Sequence, residues 1–364
     1  MKAITAVPES VQEIFQNKHY LIPNFQRPYS WGEEECEKFW DDILNFYETK
    51  ESKSEKYFFG NIVIYPSSNR DIPIREVVDG QQRLITLTLL IKALLDCAGT
   101  WSTLEECLRS RDPKSGALAN ELRVVTHVIS NDMRALEEII LNRPIADKKS
   151  KFVQNFDFFG VKIKEWRKGR SAPEFDSFIS MLLGQIVLLP INCETDDDAL
   201  TIFETINNRG LPLDDSDILK AKLYGNASNK DMFMKKWNEI ENHNEIFRIY
   251  MHILRAMKNT KDKEIALRKF FENEGAESIK DCEKTMQSLR VLHKINTGEF
   301  EANDEILVLW RIMDTYPNKY WVFPFYVFLH KHGRLNSDGK LELKDKKLDE
   351  FKLLVIETVK YFFL

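Results

Sequence analysis

Apolar residues recur at helical spacing over most of the chain, and the pattern switches to strand-like runs in only a few places. Val11, Ile14 and Phe15 predict a helix over Pro8 to Lys18, and Tyr20 to Ile22 reads as a short extended piece stopped by Pro23. An acidic amphipathic helix follows over Glu33 to Phe46, with Phe39, Trp40, Ile43 and Leu44 on its inner face. Tyr57 to Tyr65 and Arg75 to Val78 have strand patterns, and the second runs through Asp79-Gly80 into an apolar helix from Gln82 to Cys97. This is an α/β unit. Beyond residue 100 helical spacing predominates, over 118–141, 173–183, 196–207, 214–225 and a long series from 229 onward. One buried-strand candidate, Gln185 to Asn192, is interrupted by Pro190, and the aromatic run Tyr320 to Lys331 has the spacing of a core stripe. The pattern is still apolar and helical at Leu364, with no capping residue, so the natural sequence is expected to continue past it.

Composition narrows the function classes. At 364 residues the chain is long enough for roughly two to three domains. Its 43% hydrophobic and 30% charged content excludes disordered and collagen-like architectures. Five cysteines, odd in number and far apart, form no C-x-x-C pair and argue against a disulfide framework or a thiolate zinc site. No leader-like segment opens the chain and no apolar stretch approaches about 18 residues, so a cytoplasmic protein without a membrane partner is expected.

A net charge of −5 provides no general cationic field, so any nucleic-acid contact must be local. Charge is nevertheless uneven. Residues 33–55 hold nine acids against three lysines, a local net of −6; residues 147–170 hold eight bases against three acids, a local net of +5. In the second run Lys148, Lys149, Lys162, Lys164, Arg167 and Lys168 are candidate DNA contacts, although a solvated helix face is the commoner meaning of such a run.

The familiar phosphate loop, dinucleotide fingerprint, H-E-x-x-H and G-x-S-x-G motifs are absent. What remains is Val78-Asp79-Gly80-Gln81-Gln82-Arg83, a strand, a glycine turn and a helix start. Amide groups at such a helix N-terminus suit an anion, and Arg83 in the first turn can grip phosphate. Asp79 can ligate a divalent ion, and Gln81 or Gln82 can orient water. Spacing alone is equally met by Asp79 as a helix cap and Gly80 as a turn residue. A second constellation, Pro23 to Trp31, interleaves Gln26 and Arg27 with Phe25, Tyr29 and Trp31, which suits a base or phosphate as well as a loop with its rings in the core. In a third, Phe203 to Lys220, Asn208-Gly210 and Asp214 look like a helix end and the next cap, while Asn207, Arg209, Asp217 and Lys220 are candidates to meet the same anion. Asp338 with Glu342-x-Lys344 imitates a nuclease motif at a spacing that chance supplies readily in a charged chain.

Together, Asn24 to Trp31, Phe59-Gly60, Val78 to Thr86 and Phe203 to Lys220 resemble the GmrSD restriction endonuclease N-terminal domain family in block order and spacing. The resemblance implies an α+β fold, a small mixed sheet of ParB/sulfiredoxin-like type with helices, followed by a mostly α-helical domain. It implies a division into 1–110, 111–225 and 226–364. It also implies a phage-defence module that binds and hydrolyses a nucleoside triphosphate with Mg²⁺ or another divalent cation and acts on modified or foreign DNA. Carried over, the catalytic residues are Asp79, Gln81, Gln82 and Arg83, with Asp79 on the metal; Gln26, Arg27, Tyr29, Gly80, Asn207 and Arg209 bind nucleotide. No His-Asn-His nuclease pattern precedes Leu364, so a nuclease in cis or on a partner chain is expected, and homo-oligomerisation is left open. The same residues leave two alternatives: a non-hydrolytic DNA- or partner-binding scaffold, and an intrinsic metal-dependent nuclease.

Overall fold

The computed structural model describes residues 5–52, 54–67, 73–112, 114–128, 130–207, 215–259, 266–299, 304–317, 321–336 and 340–363. Contacts divide the chain into two units, Met1–Pro212 and Leu213–Leu364.

The first unit opens with strands β1 (Thr5–Ala6) and β2 (Glu9–Ser10), helix α1 (Val11–Phe15) and β3 (His19–Ile22). Next come α2 (Glu33–Thr49), β4 (Tyr57–Pro66), β5 (Ile74–Asp79), α3 (Gln81–Ala98) and α4 (Ser102–Leu108). The unit continues through β6 (Arg109–Arg111), β7 (Leu118–Leu122), β8 (Val124–Thr126), α5 (Ser130–Ile140), α6 (Lys151–Arg167), α7 (Ala172–Gln185), β9 (Ile186–Asn192) and α8 (Asp196–Asn207). The main sheet runs β1-β9-β4-β5-β3-β8, with β2 also on β9. It is mixed: β4–β9, β3–β5 and β3–β8 are parallel, and the other pairs are antiparallel. Together with the helical remainder this is the expected α+β class.

Ile62, Val63 and Ile64 on β4 and Val77 and Val78 on β5 are consecutive buried residues, as expected for strands covered on both faces. Helix α3 is buried over most of its circumference, from Leu84 through Leu94, and packs against α6 and α4. It is a central helix rather than an amphipathic surface one.

Three local expectations are corrected. The stretch 118–141 is helical only from Ser130; Leu118–Leu122 pairs with β6, and Val124–Thr126 with β3. Helical spacing is ambiguous over so short an apolar run, and β-branched Val124, Val125 and Thr126 fit the open sheet edge beside β3. The first helix is five residues long because Glu9 and Ser10 are held in the sheet against β9 and Ser10 caps the helix. Pro190 lies inside β9 without breaking it. Opposite it the partner strand is interrupted, since β1 ends at Ala6 against Ile191 and β2 begins at Glu9 against Leu188, so the missing proline N–H faces a gap in the ladder. The expected segment edge at 110/111 falls inside the first unit, where β8 and β9 complete a sheet begun by β3 and β4.

The second unit is helical: α9 (Asp215–Asn226), α10 (Lys230–Asn238), α11 (His243–Met257), α12 (Leu267–Glu272), α13 (Ala276–Lys280), α14 (Cys282–Asn296), α15 (Asp304–Asp314) and α16 (Val322–His332). A hairpin, β10 (Arg334–Leu335) with β11 (Leu341–Glu342), precedes α17 (Asp345–Phe363). Helices α11, α14 and α16 pack together. The aromatic run contributes Trp321, Phe325, Tyr326 and Leu329 to this core, as its spacing predicts. Asp338 lies outside the described residues, and Glu342 is an exposed hairpin residue.

Candidate functional site

Strand β5 ends at Asp79, and the chain turns into α3 through Gly80 at φ 91° and ψ 7°. Glycine is required here twice over. A side chain would sit in the left-handed region, and its Cβ would lie 2.4 Å from Ile62 Cγ2 and 3.0 Å from the Asn61 carbonyl oxygen. Gly80 also stands in the cap position itself, so Asp79 is the last strand residue and not the helix cap. Leu84 makes the first intrahelical bond, to the Gly80 carbonyl at 3.0 Å. The preceding amides of Gln81, Gln82 and Arg83 have no carbonyl within the helix to bond.

Freed from capping, the Asp79 carboxylate accepts from Arg83 Nη2 at 3.1 Å, and the same nitrogen donates to the Asn61 carbonyl of β4 at 2.7 Å. The guanidinium lies against Gly60, at φ 127°, whose added Cβ would come within 3.2 Å of Arg83 Nε. That Nε is buried and has no acceptor. Arg83 is therefore fixed through Nη2, with its Nε enclosed beside Gly60 and unpaired.

The glutamines hold the neighbouring loop. Gln82 Oε1 accepts from the Ser30 and Trp31 amides at 2.9 and 3.3 Å, and its Nε2 donates to the Pro28 carbonyl at 3.2 Å. Gln81 Nε2 donates to the Arg27 carbonyl at 3.0 Å, and Gln26 Nε2 donates to the Val78 carbonyl at 3.0 Å. Gln81 is 7% exposed, yet its Oε1 has no donor, and the Oδ1 of Asn24 on the same loop is likewise buried without one. Arg27 is exposed.

Tyr29 belongs to the core, 5% exposed, rather than to an open stacking surface. Its hydroxyl lies 2.8 Å from Thr86 Oγ1 and accepts from Asn155 Nδ2 at 2.9 Å. Burial raises its pKa above the usual phenol range, so it stays protonated. Asn155, on α6, also donates to the Trp31 carbonyl at 2.9 Å, and Lys151 donates to the Ser30 carbonyl at 2.7 Å. The loop is thus pinned from α3 on one side and α6 on the other. Asn155 was not singled out by the sequence reading, and Asn24, Gly60 and Thr86 entered it only as members of the family's blocks, without a role of their own. The signal for Thr86 and Asn155 is a polar residue at an otherwise apolar helical position.

The remaining candidates lie on α8, on α9 or outside the described residues. Arg209 lies outside the described residues, and Asn207 is the last residue of α8. Asp217 and Lys220 lie on α9 of the second unit. Lys220 is 8% exposed, with Nζ 5.7 Å from the Trp237 ring centroid, and burial lowers its pKa to about 8.

In the basic run, Lys162 pairs with Glu37 at 2.6 Å, and Arg167 donates to the Cys97 carbonyl at 2.6 Å and covers the Phe175 ring. Lys148, Lys149, Lys164 and Lys168 are exposed.

Among the described residues no group of three or more His, Cys, Asp or Glu is arranged to hold a metal ion. Asp79 alone fits a Mg²⁺ that arrives on phosphate, which needs only one or two protein carboxylates, and not a site built from protein ligands.

The family model described as GmrSD restriction endonuclease, N-terminal domain, matches residues 11–224, more than half of the chain. The matched span contains the Asn24–Trp31 loop, Gly60, the Asp79–Arg83 turn and α8. No curated protein matches the chain.

Proposed function

The chain belongs to the GmrSD restriction endonuclease N-terminal domain family, and from that premise we propose that its first unit binds and hydrolyses a nucleoside triphosphate at the Gly80 turn, as the regulatory step of a restriction system acting on modified or foreign DNA. The observation that carries this reading is the set of three buried, unpartnered polar atoms on one loop–strand–helix junction: Arg83 Nε, Gln81 Oε1 and Asn24 Oδ1. Buried polar groups without partners are costly and mark a missing ligand or water. The set contains one cationic donor and two acceptors. A bare phosphate satisfies only the first, whereas a nucleotide brings anionic oxygens together with hydroxyl and amino donors.

In this reading the free α3 amides and the Arg83 guanidinium hold the phosphates, where the helix dipole favours negative charge. Asp79 is the residue that would hold a Mg²⁺ arriving with the nucleotide, and the ion would supply charge neutralisation at the phosphates. Gln81 and Gln82 fix the neighbouring loop, and Gln81 Oε1, buried and unpaired, is the acceptor this reading assigns to the attacking water once the nucleotide is bound. The pre-set Arg83 stabilises charge as it develops.

The test is phosphate release from a panel of nucleoside triphosphates, with and without DNA. Asp79→Ala and Arg83→Ala are expected to reduce release at least about a hundredfold while both variants melt cooperatively. Wild-type-like release from both variants, with unchanged melting, overturns the assignment. A second reading, a non-hydrolytic scaffold, is supported by the existing engagement of Arg83 and the glutamines within the protein and by the exposed Lys148, Lys149, Lys164 and Lys168. It is favoured if salt-dependent DNA binding persists in both variants without any phosphate release.

A further inference from the structure

The second unit contains a cavity of about 690 Å³ between α11, α14, α15 and α16, a size suited to a small molecule. Its walls are strongly aromatic, with Trp310, Trp321, Phe323 and Tyr326 among the lining residues. The two indoles meet edge to face at 5.3 Å, and Phe323 and Tyr326 do so at 6.1 Å. Glu245 and Asp314 also line the cavity and are exposed, and no lysine or arginine is among its described lining residues. The combination is an aromatic interior under an acidic rim.

Two further observations separate this cavity from an ordinary packing defect. Trp321 is 2% exposed, and its indole N–H is buried without an acceptor. An unmet buried donor on a residue that lines the cavity is costly, and an acceptor brought against it by an occupant or a water relieves that cost. Burial, and to a lesser extent the Glu245 carboxylate, raises the pKa of Tyr326, whose hydroxyl donates to Asn296 Oδ1 at 2.7 Å. Tyr326 therefore remains a neutral ring facing a negative potential. Ring faces attract cations, and carboxylates at the mouth add to that attraction and repel phosphates.

We propose that this cavity binds a small organic cation, an alkylated ammonium compound carrying an acceptor oxygen, with the rings around the cationic head, Glu245 and Asp314 at the rim and the Trp321 N–H on the oxygen. The site lies wholly in the second unit and does not depend on the nucleotide reading of the first.

The full chain is titrated by calorimetry with choline, with tetramethylammonium and with the neutral analogue of choline in which a tert-butyl group replaces trimethylammonium. Both cations are expected to bind saturably, and the neutral analogue at least about tenfold more weakly than choline. The double variant Glu245→Gln/Asp314→Asn, with both residues exposed, is expected to lose about tenfold in affinity for both cations. Trp321→Phe keeps a ring but removes the donor, and is expected to weaken choline binding several-fold while leaving tetramethylammonium unchanged. Absence of binding by both cations, equal binding of the neutral analogue, or unchanged cation affinity in a folded double variant overturns the proposal. Should the double variant not fold, the comparison of choline with its neutral analogue on the wild-type chain still decides. A trimethyl-lysine peptide in the same series identifies the source: tighter binding than choline assigns the cation to a protein, and weaker binding to a free metabolite.

Discussion

At Gly80 the backbone conformation and the available space reach the same conclusion, since φ 91° disfavours a side chain and Ile62 leaves no room for one. Gly80→Ala is therefore expected to destabilise the first unit by about 3 kcal/mol, read by urea denaturation. Gly60 presents a milder conflict. Its Cβ would press on Arg83 Nε at 3.2 Å, so Gly60→Ala is expected to cost about 1–2 kcal/mol while displacing the guanidinium. A fall in phosphate release larger than the loss of stability explains would place the effect on Arg83. Lys220 carries a pH signature. Its pKa is lowered by burial from 10.5 to about 8, so between these values the unfolded chain binds more protons than the folded one. Stability then rises with pH across that window, by roughly 3 kcal/mol, and the penalty is fully present below it. Lys220→Met is expected to remove the rise and to raise stability at neutral pH; denaturation curves for the two proteins at pH 7 and pH 10 check this.

The loop from Asn24 to Trp31 has no secondary structure of its own, and its path is set by neighbouring helices. Gln82 makes three hydrogen bonds to its backbone, while Asn155 and Lys151 hold it from α6. Gln82→Ala is expected to cost about 1–3 kcal/mol and to speed proteolytic cleavage within the loop. Cleavage at the wild-type rate would show that α6 alone holds it. The turn and the helix start at Asp79–Arg83 were legible from glycine and the change of period. That Gln82 serves as a clamp was not, because its partners lie some fifty residues away in sequence. The strand character of 118–126 was missed for a related reason: its partners, β6 and β3, are set by the tertiary arrangement and not by local spacing.

Across the first unit the two charged runs are not carried on separate faces. Helix α2 packs against α6, and Glu37–Lys162 and Glu48–Arg170 join the runs directly. This redefines where DNA can be met. Lys162 is occupied, whereas Lys148, Lys149, Lys164 and Lys168 stay open to solvent. Reversing these four to glutamate is expected to abolish salt-dependent DNA retention and flatten its salt slope, while Lys162→Ala changes it little. Equal loss from both variants would return Lys162 to the contact surface. Among the described residues no helix is long and apolar enough to cross a membrane.

Local chemistry in the chain determined the succession of elements outside 118–126, the glycine turn before α3 and the aromatic core of the second unit, because these depend on periodicity and on conformational limits within a few residues. Only the tertiary structure decided which charges neutralise one another, that β9 completes a sheet begun by β4, and that Asp79 pairs with Arg83 instead of capping the helix. Tertiary packing also left Arg83 Nε, Gln81 Oε1 and the Trp321 indole without partners. The physical reason is common to all of these. Whether a polar group is satisfied depends on which backbone and side-chain atoms packing brings within about 3 Å, and that choice is absent from the spacing of residues along the chain.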